Sequence, residues 1–465
     1  MNSTALLTSP VDQPANSAPR PRFCRPDRQQ LDPHPRLLDE LVAPDHAVRA
    51  VWDFVQQMDL AALEAEYRAV EHHAGRPPID VRLLVALWLY ATLEGVASAH
   101  RLNQLCTRDD PFKWLCGGVS VNYHTLSDFR TEHADWLAEQ VVWSVAVLRS
   151  EGLVDLNRVG QDGLRVRASA GASSFRREAK LAEAHREAQQ HWETLQAELQ
   201  ADPGARSRRQ RKAQERAARE RVERLRQAQQ EWRTLEASRE KRKKGDGAKT
   251  RVSTTDPEAR RMKMPDGGYR PAYNVQFATT LDTLVVVGVD VTNAGTDAGQ
   301  LEPMVAQIAQ DCGAPPQECY VDGGFVRQDD ITAVSAQGVV VYAPIKEEAK
   351  KLSQGRDPYA PVQGDTPEVA AWRQRMGTDE GKAKYRARSL CEWTNATSRE
   401  HGLTRLLVRG LAKVKAVALW HGLAVNFRRT VALRAAQAAE ALVGTQHAVA
   451  ELLRGTVRAE VGAAG

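Results

Sequence analysis

The spacing of hydrophobic positions changes twice along the chain. Over 37–153 it is helical: Leu83, Leu84, Leu87, Trp88 and Ala91 recur three and four apart in "DVRLLVALWLYATLEGV". Polar and Gly/Pro breaks such as "HAGRPPID" and "CGGVSVNY" separate the helices. Thr125 is the expected N-cap of a helix through "LSDFRTEHADWLAEQVVWSVAVLRSEG", and Gly152 the expected stop. At "NRVGQDGLRVRASA" the pattern becomes short and alternating, which predicts a strand carrying Asp162. Two long polar helical stretches follow, at 174–200 and 207–244. Their apolar positions are Leu181, Trp192, Leu195 and Leu199, then Val222, Leu225, Trp232 and Leu235. Pro203 and Gly204 between them break the helix and turn the chain, so an antiparallel, coiled-coil-like hairpin is expected, with Trp192 and Trp232 packing across it.

Strand character then returns in "YNVQFATT" and "LVVVGVDVT", joined by "LDT". A helix is expected at "DAGQLEPMVAQIAQDCG", a buried strand at "ECYVDGGF" with Asp322 at its end, a short helix, and a strand at "GVVVYAPI". A loose polar stretch, "KLSQGRDPYAPVQGDTPE", leads to helices over 378–443. With the hairpin set aside, the order is three strands able to form an antiparallel meander, then alternating helices and strands that join as crossovers. The expected fold is α/β: a ribonuclease-H-like mixed sheet with flanking helices, interrupted by a long helical hairpin, behind an all-α N-terminal domain. The expected parts are a tail over 1–36, an all-helical N-terminal domain over 37–153, a sheet-bearing domain over 154–172 and 246–443, the inserted hairpin over 173–245, and a C-terminal tail over 444–465.

Charge sharpens this picture. The chain is only mildly basic, at +5, but 171–245 holds 20 Lys and Arg against 12 Asp and Glu. The basic excess therefore sits in the hairpin, where it suits either a polyanion or a solvated helical face. The six cysteines form no CxxC pair and no disulfide framework, which fits reduced thiols in a cytoplasm. The first 22 residues have no apolar core of a signal peptide, and no apolar run is long enough to span a bilayer.

Candidate chemistry lies in three acids. Asp162 and Asp322 are expected on neighbouring strands of one sheet, where open α/β folds place their sites. A helix over 378–401, capped by Thr378 and ended by Gly402, offers the third. At about 100° per residue, Tyr385, Arg388, Glu392 and Arg399 share one face of it. Two hard divalent ions on such carboxylates can activate the attacking oxygen and stabilise the leaving oxygen of a phosphodiester. Arginines beside them can grip nonbridging phosphate oxygens. Asp256 and Asp266 look like turn residues, and Asp290 like a strand end.

The stretch "YRARSLCEWTNATSRE" resembles the Y-x-x-R-x-x-x-E-x-x-x-x-x-x-K signature of bacterial insertion-sequence transposases of the DDE superfamily, with Arg399 in place of the final Lys. "GQDGLRVRASA" and "YVDGGF" resemble the same family's first and second aspartate motifs, and "GRPPIDVRLLVALWLYATLEGVASAHRLNQLCTRDDPFKWLCGG" its helical N-terminal domain. In "RGLAKVKAVALWHGLAVNF" the residues Val425, Asn426 and Phe427 stand where the family often has His-Asn-Leu. The resemblance implies Asp162, Asp322 and Glu392 as catalytic metal ligands, and Tyr385, Arg388 and Arg399 as DNA contacts. It implies two Mg2+ ions, with Mn2+ as a substitute. It also implies double-stranded DNA as partner, comprising the element's terminal inverted repeats and a target, and a homodimer on DNA in a bacterial cytoplasm at the nucleoid. Three readings compete: a catalytically silent DNA-binding derivative, a magnesium-dependent nuclease without strand transfer, and a coiled-coil interaction protein. The last leaves the acid motifs unexplained.

Overall fold

In the computed structural model the described residues are 23–30, 37–67, 77–201 and 207–462, with side chains to 442. The hairpin turn around Pro203 and most of the expected N-terminal tail lie outside them. The chain divides into two compact units, one of residues 1–87 with 103–126, the other of 88–102 with 127–465.

The smaller unit is helical. Phe23–Gln30, expected within the tail, is built into it: Cys24 N–H donates to Pro78 O at 2.7 Å and Asp27 N–H to Gly117 O at 2.8 Å. The Arg28 guanidinium lies 3.6 Å from the ring centre of Trp52 and 4.7 Å from that of Trp114. Asn122, and not Thr125, caps the helix Tyr123–Glu132: its Oδ1 accepts from Thr125 N–H at 3.0 Å. The helix therefore begins two residues before Thr125.

The larger unit is built on one mixed sheet. Its strands are β1 (Arg158–Arg167), β2 (Arg260–Lys263), β3 (Tyr269–Thr280), β4 (Val286–Thr292), β5 (Glu318–Tyr320) and β6 (Val340–Tyr342). β3 pairs antiparallel with β1 along one edge, and with β2 and then β4 along the other. β1 pairs parallel with β5, and β5 parallel with β6. Three antiparallel strands followed by two crossover strands on the far side of β1 is the ribonuclease-H-like arrangement. From Ala272 through Leu281 every residue of β3 and its exit is buried, as both faces of the sheet are covered. β2 was not expected from the sequence.

Several boundaries differ from the sequence reading. The helix Ala134–Ser150, expected to close the N-terminal domain, packs in the larger unit: Val145 and Leu148 share a core with Val159 of β1, Ala278 of β3 and Val287 of β4. The helix expected from Asp297 begins at Leu301. Helix begins at the end of the "loose" stretch, ahead of the expected start at 378: Pro367–Gly377 is helical, and its Trp372 is buried and donates its indole N–H to Ala343 O at 3.0 Å. The last helix, Leu411–Gly462, runs on through the segment expected as a tail. Its Asn426 is wholly buried and acts as a substitute strand neighbour. Oδ1 accepts from Val286 N–H at 2.8 Å, and Nδ2 donates to Val286 O and to Ser144 Oγ, both at 2.9 Å.

The hairpin helices are Glu178–Ala201 and Arg208–Arg242. Their buried contacts are Leu181, Ala188 and Leu195 on the first arm and Ala218, Leu225 and Ala228 on the second. The seven-residue spacing of 181, 188 and 195, and of 218 and 225, lets two helices keep one seam in contact. Trp232 packs with Leu181 and Val252 and donates to Thr250 O at 3.1 Å, so its place is the root of the hairpin. There a two-residue ladder, Phe175–Arg176 against Val252–Ser253, pins entry and exit together.

Candidate active site

Asp162 sits mid-way along β1, opposite Phe277 of β3, and Asp322 lies two residues beyond the end of β5. Because β1 and β5 are parallel neighbours, both acids fall at the same side of the sheet. Asp162 is largely covered, Asp322 and Glu392 are open to solvent; their side chains are 17%, 39% and 59% exposed.

Glu392 arrives by a route the sequence reading did not foresee. The segment 378–401 is not one helix. It runs as an α-helix, Asp379–Tyr385, a 3-10 stretch, Arg386–Cys391, and a second α-helix, Glu392–Glu400. Thr378 does cap the start, accepting from Gly381 N–H at 3.0 Å, and Gly402 takes φ +88° at the end. The tighter winding between Arg386 and Cys391 changes the angular positions, so the expected single face of four residues is not kept. Arg388 and Glu392 still meet, at 2.7 Å. Arg399 is exposed and, among the described residues, forms no ion pair with the three acids. Tyr385 is half-buried against the core beside β5 and β6, and burial raises its phenol pKa, so it remains a neutral hydroxyl.

One guanidinium links all three acids. Arg388 Nη2 is 3.1 Å from Asp162 Oδ1 and 3.8 Å from Asp322 Oδ2, while Nη1 holds Glu392 Oε1. Burial opposes the charge on Arg388, yet the carboxylates around it, Asp162 foremost, hold its proton more tightly than usual. Asp162 also accepts from Gly163 N–H at 3.0 Å and from Asn395 Nδ2 at 2.9 Å. Its pKa is nonetheless raised: burial is the largest cause, Arg388 counteracts it, and the charge of Asp322 adds to it. A buried carboxylate beside a second one is short of positive charge, and Arg388 supplies it here.

Two residues near the acids were missed. Asn395 stands three residues after Glu392 on the same helix, a spacing that brings side chains together and was available in the sequence. Asp297 was taken for the start of a helix. It accepts from Asn274 Nδ2 at 2.7 Å and Gln276 Nε2 at 2.8 Å, and Arg165 stands 3.6 Å away. A Cβ on Gly163 would collide with its Oδ1, and one on Gly324 would sit 2.9 Å from Asp322 Oδ1 and 3.5 Å from Asp297 Oδ2. Alternate polar positions 274 and 276 in an otherwise apolar strand were the signal for this network. Of the acids set aside, Asp266 pairs with Arg270 as a turn residue does, and Asp290 is taken by Lys415 at 3.2 Å. Asp256 is not a solvated turn: it is wholly buried and accepts from the Tyr273 hydroxyl at 2.7 Å.

A ribonuclease-H-like sheet with acids gathered at β1, beyond β5 and on a following helix defines a class of α/β proteins that act on nucleic-acid phosphodiesters. Two family models match the chain: a transposase domain (DUF772) over residues 36–132, and a transposase DDE domain over residues 245–427. The chain belongs to the DDE transposases of insertion sequences. The second match takes in Asp322, Arg388 and Glu392 and begins after the hairpin, past Asp162. No curated protein and no solved structure matches the chain. Among the described residues no helix is long and apolar enough to cross a membrane.

Proposed function

We propose that this chain binds the terminal inverted repeats of its element as double-stranded DNA, cleaves there, and joins the freed ends to a target, using divalent metal held by Asp162, Asp322 and Glu392. The observation that carries the reading is the placement of all three carboxylates around one cation, Arg388.

The donor set suits the metal. Carboxylate oxygens are the preferred ligands of Mg2+ and accept Mn2+ equally. In the arrangement described, no three acidic, histidine or cysteine side chains among the described residues stand close enough to hold one ion. The guanidinium lies between them, where a cation is electrostatically favoured. When bound, a metal pair would lower the pKa of attacking water and stabilise charge on the leaving oxygen. The chain's own part is positional. Gly163 N–H and Asn395 fix the Asp162 carboxylate. Arg388, once released from the acids, is the residue placed to fork onto a nonbridging phosphate oxygen, and exposed Arg399 is a second contact further along the DNA. Cleavage breaks the bond between phosphorus and the 3′ oxygen as water attacks. Joining repeats the displacement with that 3′ hydroxyl as nucleophile and a target phosphodiester as substrate. A pair of chains on the DNA, each holding one end, completes the proposal.

The test uses a labelled duplex carrying the repeats that flank the coding region, and a plasmid target, with Mg2+. Cleavage at the repeat and joined product, both abolished by EDTA and absent with a scrambled repeat, are expected. Cleavage without joining would leave a nuclease, and repeat binding with neither would leave the silent derivative.

A further inference from the structure

The root of the hairpin forms an open cleft of about 550 Å³ with the body of the larger unit. Three separate segments send arginines into it: Arg176 from the short ladder at the hairpin entry, Arg221 and Arg224 one turn apart on the second hairpin helix, and Arg409 from the turn before the last helix. Two acids, Glu183 and Glu187, and Lys180 also line it, but Lys180 is held by Glu183 at 2.6 Å. Among the described residues none of the four arginines forms an ion pair.

Like charge crowds this cleft. Arg224 is half-buried, and its pKa is lowered by burial first and by the charge of Arg409 second. Glu220 offsets part of this on Arg224, and Arg221 adds to it. The Arg409 side chain donates from Nε to Ser169 O at 3.4 Å, and the backbone around it is tied down: Gly410 N–H donates to Asp256 at 3.2 Å, and Leu406 N–H donates to Arg167 O at 2.8 Å. The hydroxyl-bearing Thr254 and Thr255 complete the lining.

We propose that this cleft binds the sugar-phosphate backbone of the same DNA duplex that the three acids act on, through Arg176, Arg221, Arg224 and Arg409. The inference rests on the DNA reading of the acid site. Its support is position as well as charge. β1, which carries Asp162, ends at Arg167, where the segment leading to Arg409 joins it. At about 3.3 Å per residue this is roughly 16 Å from the acid, and roughly five base pairs along a duplex with a rise of about 3.4 Å. A duplex seated at the acids thus reaches the end of β1 within about half a helical turn, on the way to the cleft, and guanidinium forks match its phosphates.

The test is a salt titration of binding, by fluorescence anisotropy, of the full chain to a labelled 30-base-pair duplex without divalent metal. The double variant Arg224→Ala/Arg409→Ala is expected to lower affinity roughly ten- to a hundredfold near 0.1 M salt. It should also reduce the slope of log K against log salt by about 1.8, as two phosphate contacts are lost. Arg224→Lys/Arg409→Lys, which keeps both charges, should retain most of the slope and guards against a folding defect, checked by thermal melting. Removing two charges at the far end, Arg208→Ala/Arg209→Ala, should cost less. Wild-type affinity and slope in the cleft variant, or an equal loss from the far-end variant, would overturn the proposal. If the wild type itself bound no duplex, the DNA reading of the whole chain would fall, a result distinct from either.

Discussion

The central residue of the acid site is Arg388, and its environment fixes what its removal must do. It touches Asp162, Asp322 and Glu392 at once, so it competes with any divalent ion for the same charge. Arg388→Gln removes that competitor and leaves three carboxylates. Calorimetric titration of the full chain with Mn2+ should then give roughly tenfold tighter binding than wild type, about 1.4 kcal/mol, while DNA cleavage falls. Unchanged or weaker Mn2+ binding would show that the guanidinium does not compete for the metal. At this scale the sequence was partly legible. Motif spacing pointed to Asp162, Asp322, Arg388 and Glu392, which the structure brings together. Asp297 and Asn395 were not found: the spacing of Asn395 from Glu392 and the alternation of Asn274 and Gln276 could be read, but the carboxylate each one serves is set by contacts across strands and elements. Asp256 does open a turn, with Ala259 N–H donating to its carbonyl, but its burial was not legible because Asp-Pro marks a turn in either solvent or core.

At the scale of elements, what the sequence shows well is alternation and what it shows poorly is where a helix changes winding. β1 was visible as a short alternating stretch, and β3 and β4 as strand-like runs joined by a turn. The break of 378–401 into two α-helices around a 3-10 stretch was not, since the residues 386–391 carry neither Gly nor Pro. Asn426 shows why one polar residue inside a long apolar helix matters. It satisfies both backbone groups of Val286, at the start of β4, and Ser144 on a third element, all in the dry interior. Asn426→Ala removes the partner of a buried N–H and a buried C=O at Val286, while the Ser144 hydroxyl keeps its bond to Val141 O. The expected cost is about 2–4 kcal/mol from unmade hydrogen bonds, read as a lower midpoint in urea. Asn426→Asp, which keeps the acceptor but not the donor, should lose stability as well. A midpoint equal to wild type in the Ala variant would mean that water replaces the side chain.

At the scale of the whole molecule, the hairpin is an insertion that the sheet tolerates because its ends are tied by the ladder between Phe175–Arg176 and Val252–Ser253. Composition announced the hairpin, and its 20 basic residues made nucleic acid a natural partner, but charge counts could not say which arginines stand outside any ion pair among the described residues. Only the packing of the hairpin root on the turn at Arg409 does that. The division between helical and sheet-bearing parts was likewise placed too late, since Ala134–Ser150 has the period of its neighbours yet buries its apolar face on the sheet. The central claim is that three acids from β1, the end of β5 and the helix beginning at Glu392 work as one metal-dependent site. The most direct measurement is Mg2+-dependent cleavage of the repeat-bearing duplex by Asp162→Asn, Asp322→Asn and Glu392→Gln, with DNA binding followed in parallel. Each variant is expected to bind DNA within a few-fold of wild type and to cleave about a thousandfold more slowly or worse, the loss of about 4 kcal/mol of transition-state stabilisation. Cleavage within tenfold of wild type by any one of the three would contradict the account.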